Sequence, residues 1–129
     1  GTLEIRSDCT QPLCDAFVPP AFNLGIAHNL EKAIQRTNEF LKDTDFTNSY
    51  LRRCVSEGLG IKEYSTEELL SYAGDMVQIA EEGLMKRGLG EETLIKNLYK
   101  RAETLQCPAM YTLNNINTLD DVIEKYSVL

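Results

Sequence analysis

The sequence predicts a mainly α-helical chain that begins with one β-strand, which is expected to belong to a larger α+β sheet. Apolar residues recur at helical spacing over most of positions 20–129, in about five helices separated by glycine and proline stop signals. The first six residues instead alternate between apolar and charged side chains. Because a lone strand is not stable in water, we expect it to pair with the remainder of a parent chain or with a second copy. On this interpretation residues 1–129 form a single carboxy-terminal region of a larger protein.

The strand is predicted over residues 1–6. Side chains two apart on a strand share a face, so Glu4 and Arg6 project together, while Leu3 and Ile5 lie on the opposite face. A carboxylate binds hard cations such as Mg²⁺, and a guanidinium binds phosphate or carboxylate through two parallel hydrogen bonds. The pair could therefore supply part of a phosphoryl-transfer site, namely one metal ligand and one phosphate-binding group. The alternative is a solvated ion pair on an ordinary half-buried strand.

Residues 7–19 are predicted to form a loop, because this segment is polar at its start and contains prolines. Proline is tolerated in the first turn of a helix, so Pro19 and Pro20 predict a long helix that runs to about Leu41. A shorter helix is predicted over about 46–57, before the glycine at position 58.

A capping box marks the next helix. Ser65 is followed three residues later by Glu68, which predicts a helix over about 66–87, and Gly88 supplies a left-handed stop.

Two further helices complete the prediction. One is expected over about 91–106, where Pro108 terminates it, and a last short helix over about 119–126 begins after Thr118 as its cap.

Composition excludes some classes of function. Twenty acidic residues against thirteen basic ones give a net charge of −7, which disfavours binding to nucleic acid. No long apolar run predicts a membrane segment. The adjacent basic residues Lys86-Arg87 and Lys100-Arg101 are expected to lie on solvated helix faces.

The cysteines favour a cytoplasmic protein with reduced thiols. The four cysteines contain no C-x-x-C spacing and the chain has one histidine, so a zinc site is not expected. Cysteine content is far below that of a disulfide scaffold. The alternative of a bridge between Cys9 and Cys14 stays open, because the two lie close together in the predicted loop.

The amino-terminal segment resembles a known family. In the carboxylate-amine ligase branch of the glutamine synthetase superfamily, which includes glutamate-cysteine ligases, the last active-site strand reads as Glu-x-Arg followed shortly by Gln-Pro. Glu4, Arg6 and Gln11-Pro12 match this pattern, and residues 21–27 open a helix as in the family. Residues 80–88 are similar to the family's closing helices, although less specifically.

The resemblance implies ATP-dependent amide formation, as in glutathione biosynthesis. A small amino-acid substrate is phosphorylated on its carboxylate, and an amine attacks the acyl phosphate. By analogy Glu4 would be a metal ligand for Mg²⁺, and Arg6 would be catalytic, contacting the transferred phosphate or the substrate carboxylate. Arg6, Ser7 and Gln11 would bind substrate. The family's other metal-binding acids and its ATP-binding strands have no counterpart in this sequence, so the chain alone is expected to be inactive.

Two alternatives come from different classes of protein. The first is a non-enzymatic helical interaction domain whose strand completes a partner's sheet. The second is a small helical enzyme that uses His28 or a cysteine, which is disfavoured because the sequence shows no nucleophile, base and orienting group in one pattern. His28 is expected to be a surface or boundary residue.

Overall fold

A computed structural model describes residues 11–41, 52, 63–104, 114, 117–118, 120–121 and 123. This part of the chain contains four α-helices, which are α1 (Val18–His28), α2 (Leu30–Leu41), α3 (Thr66–Met85) and α4 (Lys96–Thr104). Two short 3₁₀ helices, Leu13–Asp15 and Glu91–Ile95, precede α1 and α4. The architecture is helix packed on helix, with α3 at its centre.

The predicted fold class is wrong in its strand. The segment 1–6 lies outside the described residues, and none of the residues that the structure describes forms a strand. Helices satisfy their backbone hydrogen bonds internally and bury their apolar faces against each other. The described helices therefore build their core without a sheet.

The capping box at the start of α3 is confirmed. Ser65 Oγ accepts a hydrogen bond from the backbone N–H of Glu68, and Glu68 Oε2 accepts one from the backbone N–H of Ser65. The helix ends at Met85, two residues before the predicted end. Gly88 has the left-handed φ of 68° that its predicted role as a stop requires.

The long helix predicted over 20–41 is instead two helices, with a break at Asn29. Asn29 has φ −133° and ψ 36°, so the helical path is interrupted there. Its side chain is buried, and its Nδ2 donates to the backbone carbonyl of Ile79 in α3 at 3.1 Å. This contact with α3 stabilises the break, because a buried amide requires hydrogen-bond partners.

The other predicted helices have mixed outcomes. The segment predicted as one helix over 91–106 begins with the 3₁₀ turn and becomes α-helical only at Lys96. The helix predicted over 46–57 lies outside the described residues, apart from position 52. At the last predicted helix, Thr118 Oγ1 accepts a hydrogen bond from the backbone N–H of Asp121 at 3.2 Å, so the predicted cap is confirmed.

The backbones of α1 and α3 touch at Gly25 and Gly83. A Cβ atom added to Gly25 would overlap the carbonyl oxygen of Ala80, and one added to Gly83 would overlap the carbonyl oxygen of Gly25. Beside this crossing lies the buried core formed by Ala21, Ala80, Leu84 and Ile95. Glycine is needed here because any side chain would separate the two helices.

Candidate functional site

A polar cluster joins the segment before α1 to α4. Arg101 Nη2 donates to Asp15 Oδ2 at 2.5 Å, and Arg101 Nη1 donates to Gln11 Oε1 at 2.7 Å. Asn97 Nδ2 donates to Asp15 Oδ1 at 3.0 Å. We call these four residues the Asp15 cluster. One guanidinium thus contacts two side chains of the amino-terminal segment at the same time.

Local structure explains the geometry of the Asp15 cluster. Asn97 and Arg101 are four residues apart on α4 and therefore share a face. The 3₁₀ turn at Leu13–Asp15, closed by the bond from Asp15 N to Pro12 O at 2.8 Å, places the carboxylate towards that face. Asp15 is 7% exposed. A buried carboxylate requires a cation and further donors, and here both of its oxygens are bound.

The predicted site residues fall into two groups. Glu4, Arg6 and Ser7 lie outside the described residues. Gln11 is described, and it belongs to the Asp15 cluster.

Sequence reasoning missed Arg101. The Lys100-Arg101 pair was expected on a solvated face, whereas the Arg101 side chain is only 25% exposed and ion-paired. The spacing of Asn97 and Arg101 was visible in the sequence. The pairing of Arg101 with Asp15, 86 residues away, could not be read from the sequence.

A second polar cluster surrounds Glu82 on α3. Lys32 Nζ lies 2.6 Å from Glu82 Oε2, and both Gln78 and Asn29 donate to the same carboxylate. The hydrogen bond from Lys32 is the main cause that lowers the pKa of Glu82 below its ordinary value. Lys86 Nζ donates to Asn29 Oδ1 at 2.7 Å. These contacts hold the start of α2 against α3.

His28 is exposed, as predicted. Arg87 Nη1 lies 2.9 Å from His28 Nε2, and because a guanidinium only donates, the imidazole nitrogen is the acceptor. Arg87 also forms an ion pair with Glu91 at 2.6 Å. A catalytic histidine is usually oriented by a carboxylate or a carbonyl, whereas the partner at this ring nitrogen is a cation. This arrangement does not favour a histidine-based enzyme.

A stack of three aromatic rings joins α2 to α3. The Phe40 ring lies between those of Tyr64 and Tyr72, with centroid distances of 4.3 and 4.2 Å. Arg36 lies over the Phe40 and Tyr72 rings and forms an ion pair with Asp75. The stack therefore serves packing between the two helices.

A polar hollow of about 380 Å³ lies between α2 and α3. Its cations are Lys32 and Arg36, which are paired with Glu82 and Asp75 respectively. Both positive charges are already compensated and Glu39 adds a further negative charge to the lining, so the hollow does not favour an anionic ligand.

The described ranges contain no group of three or more His, Cys, Asp or Glu side chains placed to hold a metal ion. Within the same ranges, no helix has the length and apolar character that a membrane span requires.

The Asp15 cluster is thus the place where a residue of the predicted site meets the described helices. Comparison of the chain with protein-family models, with curated proteins and with solved structures found no match.

Proposed function

We propose that this chain is the carboxy-terminal region of an ATP-dependent carboxylate-amine ligase of the glutamate-cysteine type. The residues that support the proposal are Glu4, Arg6 and Gln11-Pro12, which match the ligase pattern. The observation that carries it is the contact of Arg101 with Gln11 and Asp15, which holds the end of that pattern against α4.

The four helices have a supporting role in this proposal. Phosphoryl transfer depends on positioning and on charge neutralisation, so the groups involved must be held by a rigid scaffold. The Asp15 cluster provides such support at Gln11, and the crossing of α1 with α3 provides it for the helix that follows. In this proposal the helical region holds the site residues in position, and the segment before it contains the residues that contact the substrates.

The proposed reaction proceeds in two steps. A carboxylate oxygen of the amino-acid substrate attacks the γ-phosphorus of ATP, and ADP leaves. The amine nitrogen of the second substrate then attacks the acyl carbon, the amide bond forms, inorganic phosphate leaves and the amine loses a proton. Arg6 would neutralise negative charge on the transferred phosphate.

Mg²⁺ is part of the proposal only through Glu4. The residues that the structure describes do not form a metal-binding group, so we assign no further ligand and derive no step through the ion. The proposal also places the protein in the cytoplasm, where the exposed thiol of Cys14 would stay reduced.

The test is an assay of ADP release by the complete protein that contains this chain, with L-glutamate, L-cysteine, ATP and Mg²⁺. Glu4→Ala and Arg6→Ala should each lower turnover by about 100-fold or more, as expected for loss of a charge-stabilising group. Glu103→Ala and Arg52→Ala, at exposed positions, are the matched controls and should leave turnover unchanged. Full turnover in both site variants would contradict the assigned roles.

A second candidate is a non-enzymatic helical interaction domain. It is favoured by the large exposed apolar side chains of Leu13 and Phe17, which are 62% and 71% exposed next to the start of α1. If the complete protein releases no ADP but forms a complex that Phe17→Ser disrupts, this second function replaces the first.

A further inference from the structure

We propose that the outward side of α2 is a docking surface for a basic amphipathic helix of a partner protein. The surface is formed by Leu30, Glu31, Ile34 and Glu39, and we call it the α2 face. The inference does not depend on the ligase function. It also concerns a different place from the exposed apolar side chains beside the start of α1.

Apolar side chains form one edge of the α2 face. Leu30 and Ile34 are four residues apart on the helix and are therefore neighbours on its surface. They are 52% and 51% exposed, whereas Ala33 of the same helix is buried. Leu30 and Ile34 thus keep apolar area that the described helices do not cover.

The charges of α2 are divided between its two sides. Its two basic residues, Lys32 and Arg36, are both paired with acidic residues of α3. Its two acidic residues, Glu31 and Glu39, are exposed and lie on the outward side. The positive charge of the helix is therefore compensated within the fold, and its negative charge faces outwards.

An open hollow of about 660 Å³ lies against the α2 face. Ile34 lines it together with Glu31, Glu39 and the amide side chains of Gln35 and Asn38, so none of the lining residues is basic. Glu39 Oε1 accepts a hydrogen bond from Gln35 Nε2 at 2.9 Å. Among the described residues, Glu31 forms no hydrogen bond or ion pair. The hollow therefore combines an apolar side chain with two carboxylates that lack a cation.

This combination selects the chemistry of the partner. Nucleic acids and anionic membranes are negatively charged and would be repelled by the two carboxylates. A second copy of the chain is disfavoured as well. If two α2 helices paired antiparallel about a twofold axis, Glu31 of one copy would face Glu39 of the other, and like charges in an interface are unfavourable. A basic partner remains.

The spacing of the two carboxylates indicates a helical partner. Glu31 and Glu39 are eight residues apart, which corresponds to about 12 Å along the helix axis. A helix that lies along α2 can present Lys or Arg side chains two turns apart, with an apolar side chain between them that contacts Ile34. Each acidic residue then meets a basic one, and the exposed apolar area is covered.

The probe is a fluorescein-labelled synthetic helix that carries leucines at every third or fourth position and a row of lysines beside them. Fluorescence anisotropy measures its binding to the complete protein that contains this chain. A second peptide with glutamates in place of the lysines is the control. The basic peptide should bind and the acidic one should not.

The first variant is the pair Glu31→Gln and Glu39→Gln. Glutamine at position 39 still accepts the hydrogen bond from Gln35, so the helix should be unchanged. The affinity for the basic peptide should fall about fivefold at low ionic strength, and added salt should reduce this difference. The matched control is the pair Glu67→Gln and Glu103→Gln, which removes the same charge at exposed positions of α3 and α4.

The second variant is Ile34→Ser, which should weaken binding about fivefold or more because apolar area is lost from the contact. Phe17→Ser is its control, since Phe17 is 71% exposed and lies outside α2. Melting temperatures close to that of the parent establish that the variants are folded.

Weaker binding in both α2 variants, with both controls unchanged, supports the inference. Absence of binding by the basic peptide, equal binding of the acidic peptide, or equal losses in the control variants overturns it. Analytical ultracentrifugation tests the remaining occupant. A dimer of the parent protein that Ile34→Ser dissociates would assign the α2 face to a second copy and would also overturn the inference.

Discussion

Gly25 and Gly83 are the residues on which the contact between α1 and α3 depends. A Cβ atom at Gly25 would lie 2.9 Å from Ala80 Cα and overlap the Ala80 carbonyl oxygen. Gly25→Ala and Gly83→Ala should each lower the free energy of unfolding by about 1–3 kcal/mol, because overpacking forces the helices apart. The measurement is the urea midpoint followed by circular dichroism.

Gly74 provides the matched control for these substitutions. It lies in the same helix as Gly83, and an added Cβ would meet no atom within 4 Å. Gly74→Ala should raise the free energy of unfolding by about 0.5–1 kcal/mol through helix propensity. Equal effects at positions 74 and 83 would contradict the close crossing.

Tyr99 has a raised pKa among the residues that the structure describes. Burial, followed by the hydrogen bond to Glu81, raises the pKa of Tyr99 from 10.0 to about 12. The folded state therefore favours the protonated phenol, and this stabilisation is complete below pH 10 and lost as the pH rises through about 12. Ultraviolet titration of the phenolates should show a late component that belongs to Tyr99.

Two variants identify that late component. Tyr99→Phe should remove it, and Glu81→Gln should lower the pKa of Tyr99 because the neighbouring negative charge is lost. A wild-type titration without a late component would contradict the burial of the Tyr99 hydroxyl and its hydrogen bond to Glu81.

At the scale of elements, the start of α3 depends on its capping box. Ser65→Ala removes the acceptor for the Glu68 N–H and should lower the free energy of unfolding by about 1 kcal/mol. Ser71→Ala is the control, since Ser71 is exposed in the interior of the same helix, where alanine is the better helix former. If both variants lose equal stability, the serine at position 65 is not a cap.

The same capping box makes α3 sensitive to acid. The backbone hydrogen bond from Ser65 is the main cause that lowers the pKa of Glu68. Its contribution to stability is therefore present above the ordinary pKa of a glutamate and is lost as the pH falls through the lowered value. The loss of stability on acidification should be smaller in Glu68→Ala than in the parent, as measured by urea unfolding at a series of pH values.

The break between α1 and α2 shows what local pattern cannot predict. Asn29 is neither glycine nor proline, and apolar residues continue at helical spacing on both sides of it, so the sequence favours one helix. The break is stabilised by hydrogen bonds to Ile79 and Glu82, which lie 50 and 53 residues away. A tertiary contact overrides the local preference here.

At the scale of the molecule, the Asp15 cluster connects the amino-terminal segment to the last described helix. Asp15→Asn removes the negative charge beside a largely buried guanidinium and should lower the free energy of unfolding by about 2 kcal/mol. The matched control is Asp75→Asn, whose ion pair with Arg36 is more exposed, so it should lose about 0–1 kcal/mol. Urea unfolding measures the free energy of unfolding of both variants. Equal losses would show that burial does not strengthen the ion pair between Asp15 and Arg101.

The sequence predicted local features better than distant ones. The cap and the extent of α3 depend on residues within a few positions of each other, and these predictions are confirmed. The pairing of Asp15 with Arg101 and the meeting of Gly25 with Gly83 join residues far apart in the chain, and no pattern in one sequence indicates them. For the candidate site, Gln11 was predicted and the arginine that donates a hydrogen bond to it was not.

The meeting of Gly25 with Gly83 also limits how the chain can change in length. One extra residue before Gly25 within α1 would rotate the preceding turns by about 100° relative to the crossing. Ala21, on the core side of that helix, would then leave the interior, and a bulkier neighbour would enter it. An insertion near Gly90, which is exposed and lies between helices, has no such effect. Natural or engineered variants should accordingly tolerate length changes at Gly90 and exclude them from α1.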